Sequence, residues 1–428
     1  MRFSRLSWSV AAVAHALLNP PALAADLAPA RESVHSATFA NSTEPGTLLT
    51  LEAALRLALS ANPELAVAVR ELEAAEGPVI QGRALPNPHL QTLLEDTRPE
   101  TRTTTVQISQ LIELGGKRAA RIDAAERGRD IAAAELAARR AEIRALVSSA
   151  FFDLLVAQER IRLADAAVAL ARRAADAAAK RVIAGKVSPV EETRARVAEA
   201  GARIDAAQAG SEVRAARQRL AALWGSSAPR FAQASGDMDS LPAVPSAEAL
   251  GARMQEAPAL ARARIEVQRR KALSDLERAR RVPDVTVSFG TKRVAELGRD
   301  QAMFGVSIPL PIFDTNRGNL REALGREDKA RDELTAVQTR LTLEAMLARE
   351  RLGAAREEAG ALLREVLPNA QSAYDAATRG FELGRFNFTD VLDAQRTLFQ
   401  AKAQALRAVA EAHRAAADID RLTGAARQ

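Results

Sequence analysis

Two hydrophobic periods alternate along this chain. The first is two residues long: Val106 and Ile108 alternate with Gln107 and Ser109. The same alternation returns in Val285, Val287 and Phe289 against Thr286, Ser288 and Gly290, and in Phe304, Val306 and Ile308 against Gly305 and Ser307. Period two with small polar partners predicts strands with one apolar and one wet face. Four strands are expected, at residues 89–95, 103–111, 285–290 and 303–310. Their lengths approach the ~9–11 residues that cross a bilayer as a tilted strand. An ordinary soluble hairpin would carry the same pattern, and one such segment alone decides little.

The second period is helical and far more extensive. Nothing breaks a helix from Gly116 to Ala184, and only Pro368 interrupts a second one over residues 318–383. At 1.5 Å per residue the first would reach on the order of 100 Å, far beyond a globular helix. Leu154, Ile161, Val168, Ala175 and Val182 form one seven-residue row; Val156, Leu163, Leu170 and Ala177 form another. Rows two residues apart lie about 200° apart around a helix. A lone coiled coil has one apolar seam, so two nearly opposite seams place a neighbour on each flank, as in the wall of a cylinder. Leu334, Leu341, Ala348, Ala355 and Leu362 repeat the first row later in the chain.

These elements occur twice. Leu55, Pro63 and Leu65 recur 195 residues on as Leu250, Pro258 and Leu260, and Pro86 recurs 197 on as Pro283. Gly185 and Gly225 recur 199 on as Gly384 and Gly424. A nearly constant offset points to duplication. The expected organisation is a first repeat over 47–225, a Pro/Ser-rich linker over 226–245 and a second repeat over 246–424.

Composition narrows the class. Of 428 residues, 47% are hydrophobic, 4% aromatic and 27% charged, which favours long helices in lateral contact over a compact core. The net charge of +6 is spread among Asp and Glu along the whole length, without a basic block, so nucleic acid is not an expected partner. Arg2 and Arg5, the apolar run Leu6–Leu18 and the Ala22-Leu23-Ala24 triplet read as a secretory signal over residues 1–24. Residues 25–46 read as a disordered tether. The chain has no cysteine, and therefore no disulfide, thiolate metal site or cysteine-borne lipid. His35, His89 and His413 stand outside metal-ligand spacing of one another, and neither a nucleophile motif nor a phosphate loop is present. No enzymatic activity, cofactor or resident metal is expected.

Three segments carry a family resemblance. LTLEAALRLALSANPEL at Leu49–Leu65, VSIPLPIFDTNRG at Val306–Gly318 and LGRFNFTDVLDAQRTLFQAK at Leu383–Lys402 resemble the TolC-type outer-membrane factors. QLIELGGKR at Gln110–Arg118, together with the PLPIF run, resembles their heavy-metal cation (cobalt–zinc–cadmium) branch. The resemblance implies a mainly α chain with a small β part. Three copies would share a long-helix α-barrel and a transmembrane β-barrel with four strands from each. Elementary geometry agrees, since four strands cannot close a barrel that needs about eight or more. It also implies an outer-membrane exit duct served by a periplasmic adaptor and an inner-membrane pump of the resistance-nodulation-division type. Drug efflux and type I secretion are alternatives within the family, and a periplasmic adaptor or coiled-coil scaffold is the alternative outside it.

Candidate residues follow at the helical turns. Gly185 and Gly384 suit the left-handed backbone that ends a helix, with Ser188-Pro189 and Asn387 suited to start the next. The resemblance implies adaptor contacts by Gly185, Lys186, Val187, Ser188, Gly384, Arg385, Phe386 and Asn387. Asp390 and Asp393, three apart on one helix face, match the family's aperture aspartates, and Glu191 lies 199 residues before Asp390. In a trimer these acids would ring the axis and favour cations. Acidic residues in a first turn also stabilise a helix dipole, so capping is a second role for them. Arg385 and Arg396 are candidate closed-state partners.

Overall fold

A computed structural model describes Glu44 and residues 46–238, 240–383, 385–386 and 388–424. The expected leader, and all of the tether except Glu44 and Gly46, lie outside them. The order is β1 (Leu48–Leu49), α1 (Leu51–Ala61), α2 (Pro63–Arg83), β2 (His89–Glu95), β3 (Thr103–Ile112), α3 (Lys117–Ile183) and α4 (Pro189–Ala222). Then follow β4 (Gln233–Ala234), α5 (Ala247–Met254), α6 (Pro258–Ala279), β5 (Val285–Val294), β6 (Arg299–Ser307), α7 (Arg317–Ala361), a π turn (Leu362–Val366), α8 (Leu367–Glu382) and α9 (Phe388–Thr423).

The four long strands make one antiparallel sheet in the order β2-β3-β5-β6. It is an open sheet with β2 and β6 at its edges, not a closed barrel. One row runs straight across it, Leu90 to Ile108 to Phe289 to Phe304, and all four side chains are exposed. The Phe289 and Phe304 rings lie 5.0 Å apart. On the opposite face Gln107 donates to Gln91 at 2.7 Å and Lys292 pairs with Glu95 at 3.5 Å, though Leu93 and Met303 share that face. Gly290 is needed there, because a Cβ would sit 2.5 Å from the Val106 carbonyl oxygen.

Three elements differ from the sequence expectation. The third long strand continues past Gly290 to Val294, where Lys292 and Val294 pair with Thr105 and Thr103. The last strand ends at Ser307 instead of Leu310 and starts earlier, at Arg299. Pro309 and Pro311 have no N–H to extend a ladder, whereas the polar Arg299–Gln301 can pair without alternating. The second long helix is not continuous over 318–383. Pro368 cannot donate to the preceding turn and would crowd its carbonyl, and the backbone widens into the π turn just before it. There the Leu367 N–H reaches back to Leu362.

α3 is unbroken for 67 residues and has a helix on each flank. Ile161 of its first apolar row faces Gly210 of α4. Val156 and Leu163 of the second row line a groove with Ala403 and Leu406 of α9. In the second half Leu341, Ala348 and Ala355 are buried with Leu250, Leu260, Ala416 and Ile419. The stretch between the halves is a packed strap. Phe231 is fully buried, β4 pairs in parallel with β1, and Glu44 accepts from the backbone N–H groups of Arg230 and Phe231. Farther along, Arg349 and Arg356 of α7 donate to the carbonyls of Pro245 and Pro242.

Below the sheet the two halves are joined by charge. Lys117 Nζ lies 2.6 Å from Asp284 Oδ1, which also accepts the Leu114 N–H at 3.0 Å. Burial pushes the Asp284 carboxyl up, but Lys117 and that N–H outweigh it and hold it below its ordinary value. The bidentate Arg121 guanidinium does the same for Glu113. Carboxyls lowered in this way stabilise the fold at neutral pH. Their contribution is lost as pH falls from the ordinary values of 3.8 and 4.5 through the lower folded ones. The thermal midpoint in detergent should therefore drop steeply below about pH 4.5, and less steeply in Asp284→Asn. A second prediction concerns the glycine pair, both left-handed at φ +71° and +76°. Alanine at either costs roughly 1–2 kcal/mol of backbone strain. At Gly115 the new Cβ would also lie 2.7 Å from Val282 Cβ, whereas Gly116 faces open space. Gly115→Ala should lose clearly more stability than Gly116→Ala; equal losses would show that Val282 yields freely.

Candidate functional site

The candidate site is where the long helices turn, away from the sheet. α3 ends because Gly185 adopts φ +68°. The Gly185 N–H then reaches the Val182 carbonyl and the Lys186 N–H the Arg181 carbonyl, both at 2.9 Å, a Schellman closure. Ser188 caps α4 by accepting the Val190 N–H at 3.3 Å, and Pro189 takes the first helical position. The second tip repeats the long-span bond 199 residues on: Arg385 N–H donates to the Gly380 carbonyl at 2.8 Å. Gly384 and Asn387 lie outside the described residues. Phe386 is half exposed, its other side lying over Gly380, where a Cβ would fall 2.2 Å from the ring.

The tips of the two halves lie side by side. Arg181, at the end of α3, stacks over the Phe381 ring of α8 at 4.3 Å. With Val187, Ser188, Glu191 and Thr389 they line a groove of about 500 Å³. Sequence reasoning missed Arg181 and Phe381, since a cation–π contact between distant segments leaves no local pattern. Glu191 sits in the first turn of α4 and pairs with Arg194 at 3.2 Å. Asp390 sits in the first turn of α9, where its charge favours the helix dipole. Asp393, one turn on, is exposed and 4.0 Å from Arg396. That exposed pair contributes little to stability. Glu191 therefore shares a groove with Thr389, the immediate neighbour of Asp390.

Among the described residues no cluster of His, Asp or Glu could hold a metal ion, and no helix is long and apolar enough to cross a membrane. His413 is buried and stacked on Phe152 at 3.5 Å between ring centres.

The profile of the outer membrane efflux protein family matches residues 54–226 and 250–425. The chain belongs to that family. As a member it is an outer-membrane efflux duct and carries out no catalysis of its own, which sets aside the adaptor and scaffold reading. The chain is 50% identical over 376 residues to the cobalt-zinc-cadmium resistance protein CzcC of Cupriavidus metallidurans, covering 88% of this chain and 90% of that one. It is 30% identical over 304 residues to the nickel and cobalt resistance protein CnrC of the same organism, covering 69% and 71%. Among solved structures, the MtrE outer membrane channel of Neisseria gonorrhoeae, in its open state, superposes with a TM-score of 0.74. The match covers 87% of this chain and 88% of that one; at 21% identity it speaks for the fold alone.

Proposed function

We propose that three copies of this chain form the exit duct of a tripartite heavy-metal cation efflux system, working passively with a periplasmic adaptor and an inner-membrane resistance-nodulation-division pump. The observation that carries the duct is the sheet: an exposed apolar row on one face, and two edges that have no strand beside them among the described residues. In hydrocarbon an open edge leaves backbone groups unsatisfied, so the strands must close on one another. Three sheets of four strands give an even, all-antiparallel twelve, set in outer-membrane lipid. The cation class rests on the relatives, whose names are those of cobalt, zinc, cadmium and nickel resistance proteins. The duplicated organisation over 47–225 and 246–424, and export by a cleaved signal at 1–24, belong to the same reading.

At the far end, Asp390 and Asp393 of three chains, with Glu191, supply the acidic ring of the aperture. The tips 185–188 and 384–387 meet the adaptor. A Cβ at Gly185 would meet nothing within 4 Å, so substitution there brings backbone strain of about 1–2 kcal/mol and no clash at Cβ.

Two measurements test this. Gly185→Trp, with Gly384→Trp, should leave the trimer assembled but abolish adaptor cross-linking and metal resistance. Unchanged cross-linking would remove the tips from the interface. Asp390→Ala/Asp393→Ala should weaken cation selectivity and trivalent-cation block in planar bilayers without loss of assembly. If both properties persist, the aspartates are helix caps and the constriction lies elsewhere.

A further inference from the structure

Where the two halves meet below the sheet, a strand leaving one half runs beside a strand entering the other. The segment after β3 packs on the segment before β5: Leu114 donates to Asp284, and Gly115 lies against Val282. Each half has one departing and one entering segment, and only one such pair meets within the chain. The pair left over is Pro309–Phe313, after β6, and Leu85–Asn87, before β2. Pro86 precedes β2 as Pro283 precedes β5, 197 residues apart, so Leu85 and Asn87 hold the places of Val282 and Asp284. The large apolar side chains of both segments are exposed. Phe313 is 99% exposed, Leu310 75%, Ile312 70% and Leu85 69%.

We propose that Pro309–Phe313 of one protomer closes over Leu85–Asn87 of the next copy, forming an apolar clasp beneath the sheet. The inference rests on the trimer reading and adds a named contact to it. β6 and β2 are the open edges, and the alternating sheet makes them antiparallel between adjacent copies. Pairing them brings the end of β6 beside the start of the neighbour's β2. Pro309 and Pro311 on one side, Pro86 and Pro88 on the other, lack the N–H groups to carry the ladder further. Below that point side chains take over the contact. The Ile312 N–H folds back to the Leu310 carbonyl at 2.8 Å, a tight turn that keeps the strap out of strand geometry. Lipid is the poorer occupant, because Lys117, Arg280, Asp284 and Asp314 line the same groove as Leu310 and Phe313. Hydrocarbon accepts such charges at high cost.

The absence of native cysteine makes the test direct. Leu85→Cys/Phe313→Cys in the full chain, oxidised in detergent, should give a reductant-sensitive covalent trimer on a denaturing gel. Either single variant should not. Phe313→Asp should lower the trimer fraction by light scattering in mild detergent. A parent that is trimeric by light scattering, with a double variant that never cross-links, overturns the clasp and leaves the duct standing. A monomeric parent overturns both. A Phe313→Trp variant whose fluorescence in proteoliposomes is quenched by brominated phospholipid places the strap in lipid, and also overturns the clasp.

Discussion

The ladder between β3 and β5 is the join on which the protomer depends. Ten residue pairs, from Thr103 with Val294 to Ile112 with Val285, connect strands from opposite halves of the chain. Because the pairing is antiparallel, the helix leaving β3 and the helix entering β5 emerge at one end of the sheet, and α3 packs against α6. The first residue of α3, Lys117, and the residue just before β5, Asp284, are then locked in a largely buried pair with an extra backbone donor. A pair so satisfied is costly to break from one side, since the partner would be left charged without compensation. The way α3 and α6 leave the sheet is thus set by a few residues beside it.

The same ladder fixes which face of the sheet is wet. A one-residue slip would carry Phe289 to the face of Gln107 and Ser109. Gly290 makes such a slip harder, since the close approach of Val106 leaves no room for a side chain there. The apolar row is therefore held by register, while the edges remain the unsolved part of the chain's own hydrogen bonding. A single copy satisfies β3 and β5 on both sides and β2 and β6 on one. That imbalance, more than any single contact, argues for assembly.

The strands and long helices were legible because their periods persist over many residues. Alternation in Val285–Phe289 and the seven-residue rows of α3 survive any error at one position. The strap was not legible. Its Pro- and Ser-rich residues have no period, and Phe231 is buried in a cluster that α3 builds with Phe151 and Leu155 and that Trp224 and Arg217 complete around its ring. β1 and β4, two residues each, are too short to carry a pattern. Pro368 was visible as a break, but the widened turn that absorbs it precedes the proline and contains none. At the candidate site, Gly185, Ser188 and the spacing of Asp390 and Asp393 could be read from local chemistry. Arg181 and Phe381 could not, as they meet only after both halves have folded.

The tips show how one turn is built from different residues. Arg181 and Val187 in the first half correspond to Gly380 and Phe386 in the second, each 199 residues on. The backbone bond is kept, from residue 186 to 181 and from 385 to 380. The side chains exchange bulk. Phe386 lies where a Cβ on residue 380 would stand, so the large residue after the second turn requires the glycine before it. In the first half the smaller Val187 follows the turn, and Arg181 keeps a long side chain that crosses to Phe381. The first tip therefore reaches towards the second, while the second presents half a phenyl ring to solvent. Symmetry in the backbone and asymmetry in the side chains give the two tips different surfaces. A partner meeting both would find a cation resting on an aromatic face at one and a bare aromatic edge at the other.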